Sequence, residues 1–108
     1  MAWTVETLNE TVHAELAELP ADMRARLVRI SELIEFVGLP HVKEPHVRHI
    51  RGRLWEIRLK GKAGIARALY VTAREQRVVI VRAFITKTEK TPTGEIDLAL
   101  QRAKELKP

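Results

Sequence analysis

Two arginines lie inside otherwise apolar stretches of the chain, and they are the first candidates for chemistry. Arg67 lies within residues 65–70, and Arg82 lies within residues 81–84. A charged side chain in such a setting must be paired or face an opening, because an unpaired buried charge is costly. Each arginine is therefore either a functional cation or one half of a structural ion pair, for instance with Glu56 across a sheet.

Further cations flank these arginines in the sequence. Arg58, Lys60 and Lys62 lie at the end of one predicted strand, and Lys87 and Lys90 follow the last strand. If the strands form an antiparallel meander, these cations converge on one sheet face. Convergent guanidinium and ammonium groups are suited to a phosphate that gains negative charge in a transition state.

Other reaction centres find little support in the sequence. The chain has no cysteine, which excludes disulfides, thiolate zinc sites and a cysteine nucleophile. The glycines around Gly61 do not match a phosphate-binding loop, and no helix-turn-helix pattern is recognisable. His41, His46 and His49 are the only clustered metal-ligand candidates, but no carboxylate cluster accompanies them. We therefore expect a solvated loop there, with no metal and no other cofactor.

The net charge of +5 is distributed unevenly along the 108 residues. Residues 1–40 carry −4, residues 41–77 carry +7 and residues 78–108 carry +2. A basic middle segment in a compact domain favours a surface patch that attracts polyanions such as nucleic acid. The alternative is that the basic residues only keep the protein in solution.

Length and hydropathy predict one domain over residues 1–108, located in the cytoplasm. No apolar run approaches the roughly 18–20 residues that a membrane helix needs. The N-terminal residues do not have the basic and apolar blocks of a signal peptide. The absence of cysteine agrees with a reducing compartment.

Hydrophobic periodicity predicts an α+β fold in the order β-α-α, then an antiparallel β-meander, then a C-terminal α-helix. We expect the helices on one sheet face and the other face partly open. Residues 78–85 are almost entirely apolar and are predicted to form the central strand. The predicted strands span residues 2–6, 47–50, 55–60, 65–71 and 78–85.

Residue types also predict where the helices begin and end. Thr7 with Glu10 fits a capping box for the first helix, and Asp22 fits the start of the second. Gly38 is placed to end the second helix. Thr91, followed by proline, is the predicted N-cap of the third helix.

Three stretches taken in order carry a family resemblance. They are Arg51-Gly52-Arg53-Leu54-Trp55-Glu56-Ile57-Arg58, then Gly64-Ile65-Ala66-Arg67-Ala68-Leu69-Tyr70, then Phe84-Ile85-Thr86-Lys87-Thr88-Glu89-Lys90-Thr91-Pro92 with Glu95-Ile96 after it. Together they resemble the HigB-like, phage-derived branch of the RelE/ParE toxin superfamily. The resemblance follows the whole chain in order.

The resemblance implies a toxin of a type II toxin–antitoxin system. Toxins of this kind are ribosome-dependent endoribonucleases that cut messenger RNA in the ribosomal A site without a metal. The 2′-hydroxyl of the RNA attacks the adjacent phosphate and leaves a cyclic phosphate and a free 5′-hydroxyl. A cognate antitoxin, typically a helix-turn-helix protein, neutralises the toxin.

The resemblance also assigns roles to single residues. Arg67 matches a strand arginine that stabilises the transition state, and Lys87 matches a basic residue after the last strand. Arg58 and Glu56 match strand positions held by lysines in RelE. Glu56 is therefore either a general base or the partner that holds Arg67. The C-terminal tyrosine of RelE has no counterpart here. The expected RNA-binding residues are Lys60, Lys62, Lys90 and Arg82.

Two other functions stay open at this stage. One is a ParE-like toxin that inhibits DNA gyrase, and the other is a non-catalytic regulator that binds nucleic acid. The cations favour the nuclease. Arg67→Ala is expected to fold normally and lose toxicity, since an exposed catalytic cation contributes to rate and not to the core. Unfolding of this variant would indicate a structural pair.

Overall fold

The computed structural model describes residues 2–43 and 46–106. These residues form a five-stranded sheet, three α-helices and one 3₁₀ turn. In chain order the elements are β1 (Thr4–Thr7), α1 (Glu10–Ala17), α2 (Ala21–Val37), the 3₁₀ turn (Leu39–His41), β2 (Val47–Arg51), β3 (Leu54–Gly61), β4 (Gly64–Ala73), β5 (Arg77–Thr86) and α3 (Thr93–Ala103). The predicted α+β class and order of elements are confirmed.

The sheet combines a meander with one parallel strand. Its order is β1-β5-β4-β3-β2. Strands β2 to β5 are antiparallel neighbours, as predicted, and β1 pairs in parallel with β5. The central strand is β4, so the prediction that residues 78–85 form it was wrong. Strand β5 is nevertheless interior, and the core on both faces explains its apolar sequence.

The helices cover both faces of the sheet. On one face, buried residues of α1 and α2 share a core with Ala66, Ala68 and Tyr70 of β4. On the opposite face, α3 shares a second core with Leu69 and Val71. The prediction that all helices lie on one face was therefore wrong. The physical reason is that β4 is apolar on both faces, and a further amphipathic helix is needed to cover the second one.

The helix starts differ from their predicted caps. The N-cap of α1 is Asn9, whose Oδ1 accepts the N–H of Val12 at 3.0 Å. Thr7 belongs to β1, so the predicted capping box does not form. Helices α2 and α3 begin after prolines without a side-chain cap, and neither Asp22 nor Thr91 fills that position. Gly38 ends α2 as predicted, with φ +91°.

The turn between β3 and β4 is fixed by two close approaches. Oδ2 of Asp22, in the first turn of α2, accepts the N–H of Lys62 at 3.2 Å. Gly64 has φ +135°, and a Cβ there would lie 2.8 Å from the carbonyl oxygen of Thr86. The same Cβ position lies 3.6 Å from Cγ of Lys87. The turn and the end of β5 therefore meet at one end of the sheet.

Candidate functional site

Strand register brings the predicted site residues onto the α3 face. Because residues directly opposite each other in a sheet point to the same side, three rows of side chains cross β3, β4 and β5. The rows are Glu56–Leu69–Arg82, Arg58–Arg67–Phe84 and Lys60–Ile65–Thr86. The sheet thus places Arg58 next to Arg67 and Glu56 one row away.

Arg67 and Glu56 form a buried ion pair. Nη1 of Arg67 donates to both carboxylate oxygens of Glu56, at 3.0 and 2.9 Å. The two side chains are 0% and 1% exposed. The hydroxyl of Thr91 donates to Oε1 of Glu56 at 2.8 Å and accepts from Nη1 of Arg67 at 3.3 Å. Thr91 therefore completes a buried polar network instead of capping α3.

The loop after β5 closes over the same guanidinium. Nη2 of Arg67 donates to the carbonyl oxygens of Thr88 and Glu89, at 2.8 and 2.7 Å. Thr88 is itself held, because its hydroxyl donates to the carbonyl of Lys90 at 2.9 Å. The expectation that Arg67 is an exposed cation was wrong. Its five contacts to Glu56, Thr91 and the two carbonyls make it the structural ion pair that the sequence left open.

Arg82 lies in a separate network. Its Nε and Nη2 donate to the carboxylate of Glu95 at 2.8 and 3.0 Å, and its Nη1 lies 2.9 Å from Glu15. Arg102 donates to Glu15 at 3.0 Å and to the carbonyl of Val81 at 2.9 Å. Hydrogen bonding to Glu95 raises the pKa of Arg82. Arg82 therefore ties α1 and α3 to β5, and the structure does not bring it together with the other cations.

The electrostatics of Glu15 follow from these contacts. Burial acts to raise its pKa, but hydrogen bonds from Arg102 and from the N–H of Ala83 outweigh burial and lower the pKa overall. That N–H, donated at 3.2 Å, belongs to the part of β5 that extends beyond β1. Glu15 thus accepts a hydrogen bond from a backbone N–H of β5 and also pairs with Arg82 and Arg102.

The remaining predicted cations form what we call the basic rim: Arg58, Lys60, Lys62, Lys87 and Lys90. The four lysines are exposed, and none forms an ion pair within the described residues. The side chain of Arg58 is 15% exposed, and its Nη2 lies 3.4 Å from Glu89, which is 84% exposed. Its buried Nε has no hydrogen-bond partner among the residues that the structure describes. The rim therefore presents positive charge that the fold leaves available.

Other candidates do not join the site. Tyr70 is 1% exposed and belongs to the core, and burial raises the pKa of its phenol. The ring of His49 packs against that of Trp55 in a tilted arrangement, with ring centroids 4.8 Å apart. In residues 2–43 and 46–106 no three histidine, aspartate or glutamate side chains are grouped to hold a metal ion. No helix in these segments is long and apolar enough to cross a membrane.

Three contributors to the site were missed by sequence reasoning. Thr91 was assigned to a helix cap, and the carbonyls of Thr88 and Glu89 carry no residue-type signal that predicts a contact. Only the position of this loop directly after a strand that ends beside β4 could have indicated that it approaches Arg67.

Comparison with solved structures identifies the fold as that of RelE. A free-state arginine-to-alanine double mutant of the Escherichia coli toxin RelE aligns with TM-score 0.68 and 18% identity, over 94% of this chain and 98% of that one. RelE from the archaeal RelE–RelB complex of Pyrococcus horikoshii aligns with TM-score 0.57 and 18% identity, over 83% of this chain and 100% of that one.

The chain belongs to the family of Gp49-like phage-derived proteins, whose family model matches residues 14–104. This confirms the resemblance to the phage-derived branch that the sequence motifs indicated. No curated protein sequence matches the chain.

Proposed function

We propose that the chain is the toxin of a type II toxin–antitoxin system and acts as a metal-independent endoribonuclease on messenger RNA in the ribosomal A site. The observation that carries the proposal is the basic rim, whose lysines have no acidic partner in the part of the chain that the structure describes. The rim lies on a fold shared with the toxin RelE. The family and the sequence motifs point to the same class of protein.

The proposed chemistry needs cations more than it needs a protein nucleophile. The 2′-hydroxyl of the RNA gives its proton to water as its oxygen bonds to the adjacent phosphorus. The bond from phosphorus to the 5′-oxygen breaks, and the leaving 5′-oxygen takes up a proton from water. Negative charge on the phosphate oxygens grows during this step. Guanidinium and ammonium groups stabilise such charge when they are held in place beforehand.

We assign contact with the reacting phosphate to Arg58 and Lys87, which flank the buried pair and reach solvent. Lys60, Lys62 and Lys90 extend the positive surface for neighbouring phosphates. Arg82 is left out, because its guanidinium already donates to carboxylates on two helices.

Arg67 and Glu56 have a positioning role in this proposal. Both oxygens of Glu56 accept from Arg67, and Oε1 also accepts from Thr91. Glu56 therefore serves as the partner that holds Arg67, and not as the general base that was the other option. Arg67 reaches a phosphate only if the carbonyls of Thr88 and Glu89 release its Nη2.

The proposed partner is a cognate antitoxin, and the proposed location is the cytoplasm, where ribosomes are found. The RelE–RelB complex of P. horikoshii supports a protein partner for this fold. The helix-turn-helix character of the antitoxin rests on the sequence resemblance alone.

The test is cleavage of a defined message in a purified translation system, with a ribosome stalled at a known codon. Primer extension should reveal a new 5′ end within the A-site codon, absent when ribosomes are omitted. Arg58→Ala and Lys87→Ala should each reduce the cleavage rate by about 10²-fold or more, as expected for loss of one preorganised charge. Arg74→Ala, in the turn at the other end of the sheet, serves as the control of equal charge.

An intact message from folded protein would overturn the nuclease proposal. The same preparation would then be tested for inhibition of DNA gyrase supercoiling. Inhibition there would assign the chain to the other toxin class that shares this fold.

A further inference from the structure

A cleft at the edge of the sheet adjoins the basic rim and shares Arg58 with it. It has a volume of about 340 Å³ and is lined by Arg26, Arg29, Ile30, Leu33, His46 and Arg58. It lies where β2 begins beside β3, since β2 starts at Val47 and the N–H of Arg58 donates to the carbonyl of His46 at 2.9 Å. Helix α2 forms its other wall.

The charge of this cleft is unusual for its part of the chain. Residues 1–40 contain seven acidic residues and only three basic ones, namely Arg24, Arg26 and Arg29. Two of these three line the cleft. They are three residues apart, which places them on one face of a helix. Among the residues that the structure describes, the six that line the cleft include no acidic one.

Helix α2 keeps two of its acidic residues away from the cleft, whereas Asp22 lies one turn before Arg26 on the same face. Glu32 and Glu35 line a different groove, together with Val28, on the side of the helix that faces β1. Neither Arg26 nor Arg29 forms an ion pair within the described part of the chain. The two arginines are thus placed for a ligand of negative charge.

Arg58 belongs to both sites. It lines the cleft, and it lies in the same row as Arg67 and within 3.4 Å of Glu89 on the α3 face. Its buried Nε lacks a hydrogen-bond partner within residues 2–43 and 46–106. A strand of RNA that contacts Arg58 on the α3 face can therefore continue over the sheet edge towards Arg26 and Arg29.

We infer that the cleft binds backbone phosphates of single-stranded RNA next to the segment that is cut, with Arg26 and Arg29 as the phosphate ligands. This inference rests on the proposed RNA-directed function and adds to it a second contact site. Arginine suits this role because its fork of N–H donors matches phosphate oxygens. The exposed Leu33 and the buried Ile30 form an apolar floor that a ribose can contact.

The test is binding of a fluorescent 2′-O-methyl RNA, which cannot be cut by attack of its own 2′-hydroxyl. Anisotropy titrations at several salt concentrations give both the affinity and its salt dependence. The double variant Arg26→Ala/Arg29→Ala should weaken binding by roughly tenfold. It should also reduce the slope of log K against log salt by about 1.4, since each phosphate contact on a single strand contributes about 0.7.

The matched control is Arg24→Ala/Arg74→Ala, which removes the same charge at exposed positions outside the cleft. It should leave affinity and slope close to those of the wild type. The variant Arg26→Lys/Arg29→Lys keeps both positive charges and should keep the salt slope of the wild type. This result would show that the alanine variant is affected by loss of charge and not by a change in folding. Equal losses in the alanine double variant and its control would overturn the inference, as would wild-type binding by the alanine variant.

The two proposals can fail separately. If the message stays intact in the translation assay while RNA binding still depends on Arg26 and Arg29, the cleft stands and the nuclease proposal falls. If cleavage occurs but binding does not depend on these arginines, the cleft proposal falls alone.

Discussion

Arg67 and Glu56 reach each other diagonally across two strands. Glu56 is paired in register with Leu69 and Arg67 with Arg58, yet Nη1 of Arg67 lies 2.9 Å from Oε2 of Glu56. Both side chains are removed from water, so their desolvation offsets much of their attraction. Such a pair adds little net stability, but the loss of one partner leaves an uncompensated buried charge. The pair therefore acts mainly by fixing the loop that closes over it.

Arg67→Ala should be strongly destabilising. It leaves the carboxylate of Glu56 buried with only Thr91 as a side-chain donor, and the free energy of unfolding should fall by about 3–5 kcal/mol. Urea denaturation followed by circular dichroism measures this change. A variant that keeps wild-type stability but loses toxicity would instead show that Arg67 contributes to activity and not to the stability of the fold.

The double variant Arg67→Met/Glu56→Leu provides the control for this interpretation. Replacing both members of a buried pair with apolar side chains is often close to neutral. The double variant should therefore be more stable than Arg67→Ala alone. A double variant that is as unstable as the sum of both single variants would show that the two residues do not act as a pair.

Thr91→Val tests the hydroxyl that closes the network. Valine has nearly the same shape but cannot donate to Oε1 of Glu56, where the hydroxyl lies at 2.8 Å. Loss of a hydrogen bond to a charged group should lower the free energy of unfolding by about 1.5–3 kcal/mol. Thr93→Val, at an exposed position in the first turn of α3, should change it far less. Equal effects from the two variants would contradict the role of Thr91.

The strands were predictable because apolar and polar residues alternate along them in the sequence. In β3 the alternation of apolar and charged residues gave both the strand and the faces of Glu56 and Arg58. The position of β1 was not predictable in the same way. Its parallel pairing with β5 depends on contacts between segments more than 70 residues apart, as the partners Thr4 and Arg77 show.

The candidate site was predictable only in part. Residue types indicated that Arg67 must be paired or exposed, and Glu56 was one possible partner. The buried, structural role of Arg67 follows in part from the carbonyls of Thr88 and Glu89, which accept hydrogen bonds from its Nη2. These contacts could not be predicted from the sequence, because every residue has a backbone carbonyl. The cleft on α2 was missed, although Arg26 and Arg29 are two of the three basic residues in an acidic segment.

The stability of the fold should decrease in mild acid through Glu15. Its hydrogen bonds to Arg102 and to the N–H of Ala83 lower its pKa below the ordinary value of 4.5. A lowered carboxyl pKa stabilises the folded state above the unfolded pKa, and this stability is lost as pH falls through the folded value. Urea midpoints for the wild type should therefore fall below about pH 4.5.

Glu15→Gln isolates this contribution. The variant should be less stable than the wild type near neutral pH, and the difference should shrink as the pH falls. Glu105→Gln, at an exposed position, should follow the wild-type curve. A constant difference between Glu15→Gln and the wild type over the acid range would show that the charge of Glu15 is not responsible.

Gly64→Ala should destabilise the fold and weaken cleavage together. A Cβ at this position would lie 2.8 Å from the carbonyl oxygen of Thr86, on a backbone with φ +135° that other residues rarely adopt. Strain of this kind costs about 1–3 kcal/mol. Relief of this strain requires the end of β5 to move away from the turn, which displaces Lys87 from the basic rim.

Gly94→Ala, where a Cβ meets nothing within 4 Å, is the control and should instead stabilise α3 slightly. Thermal melts measure the stability of both variants, and the translation assay measures their rates of message cleavage. If Gly64→Ala cuts the message at the wild-type rate despite a lower melting temperature, the position of Lys87 does not limit the reaction.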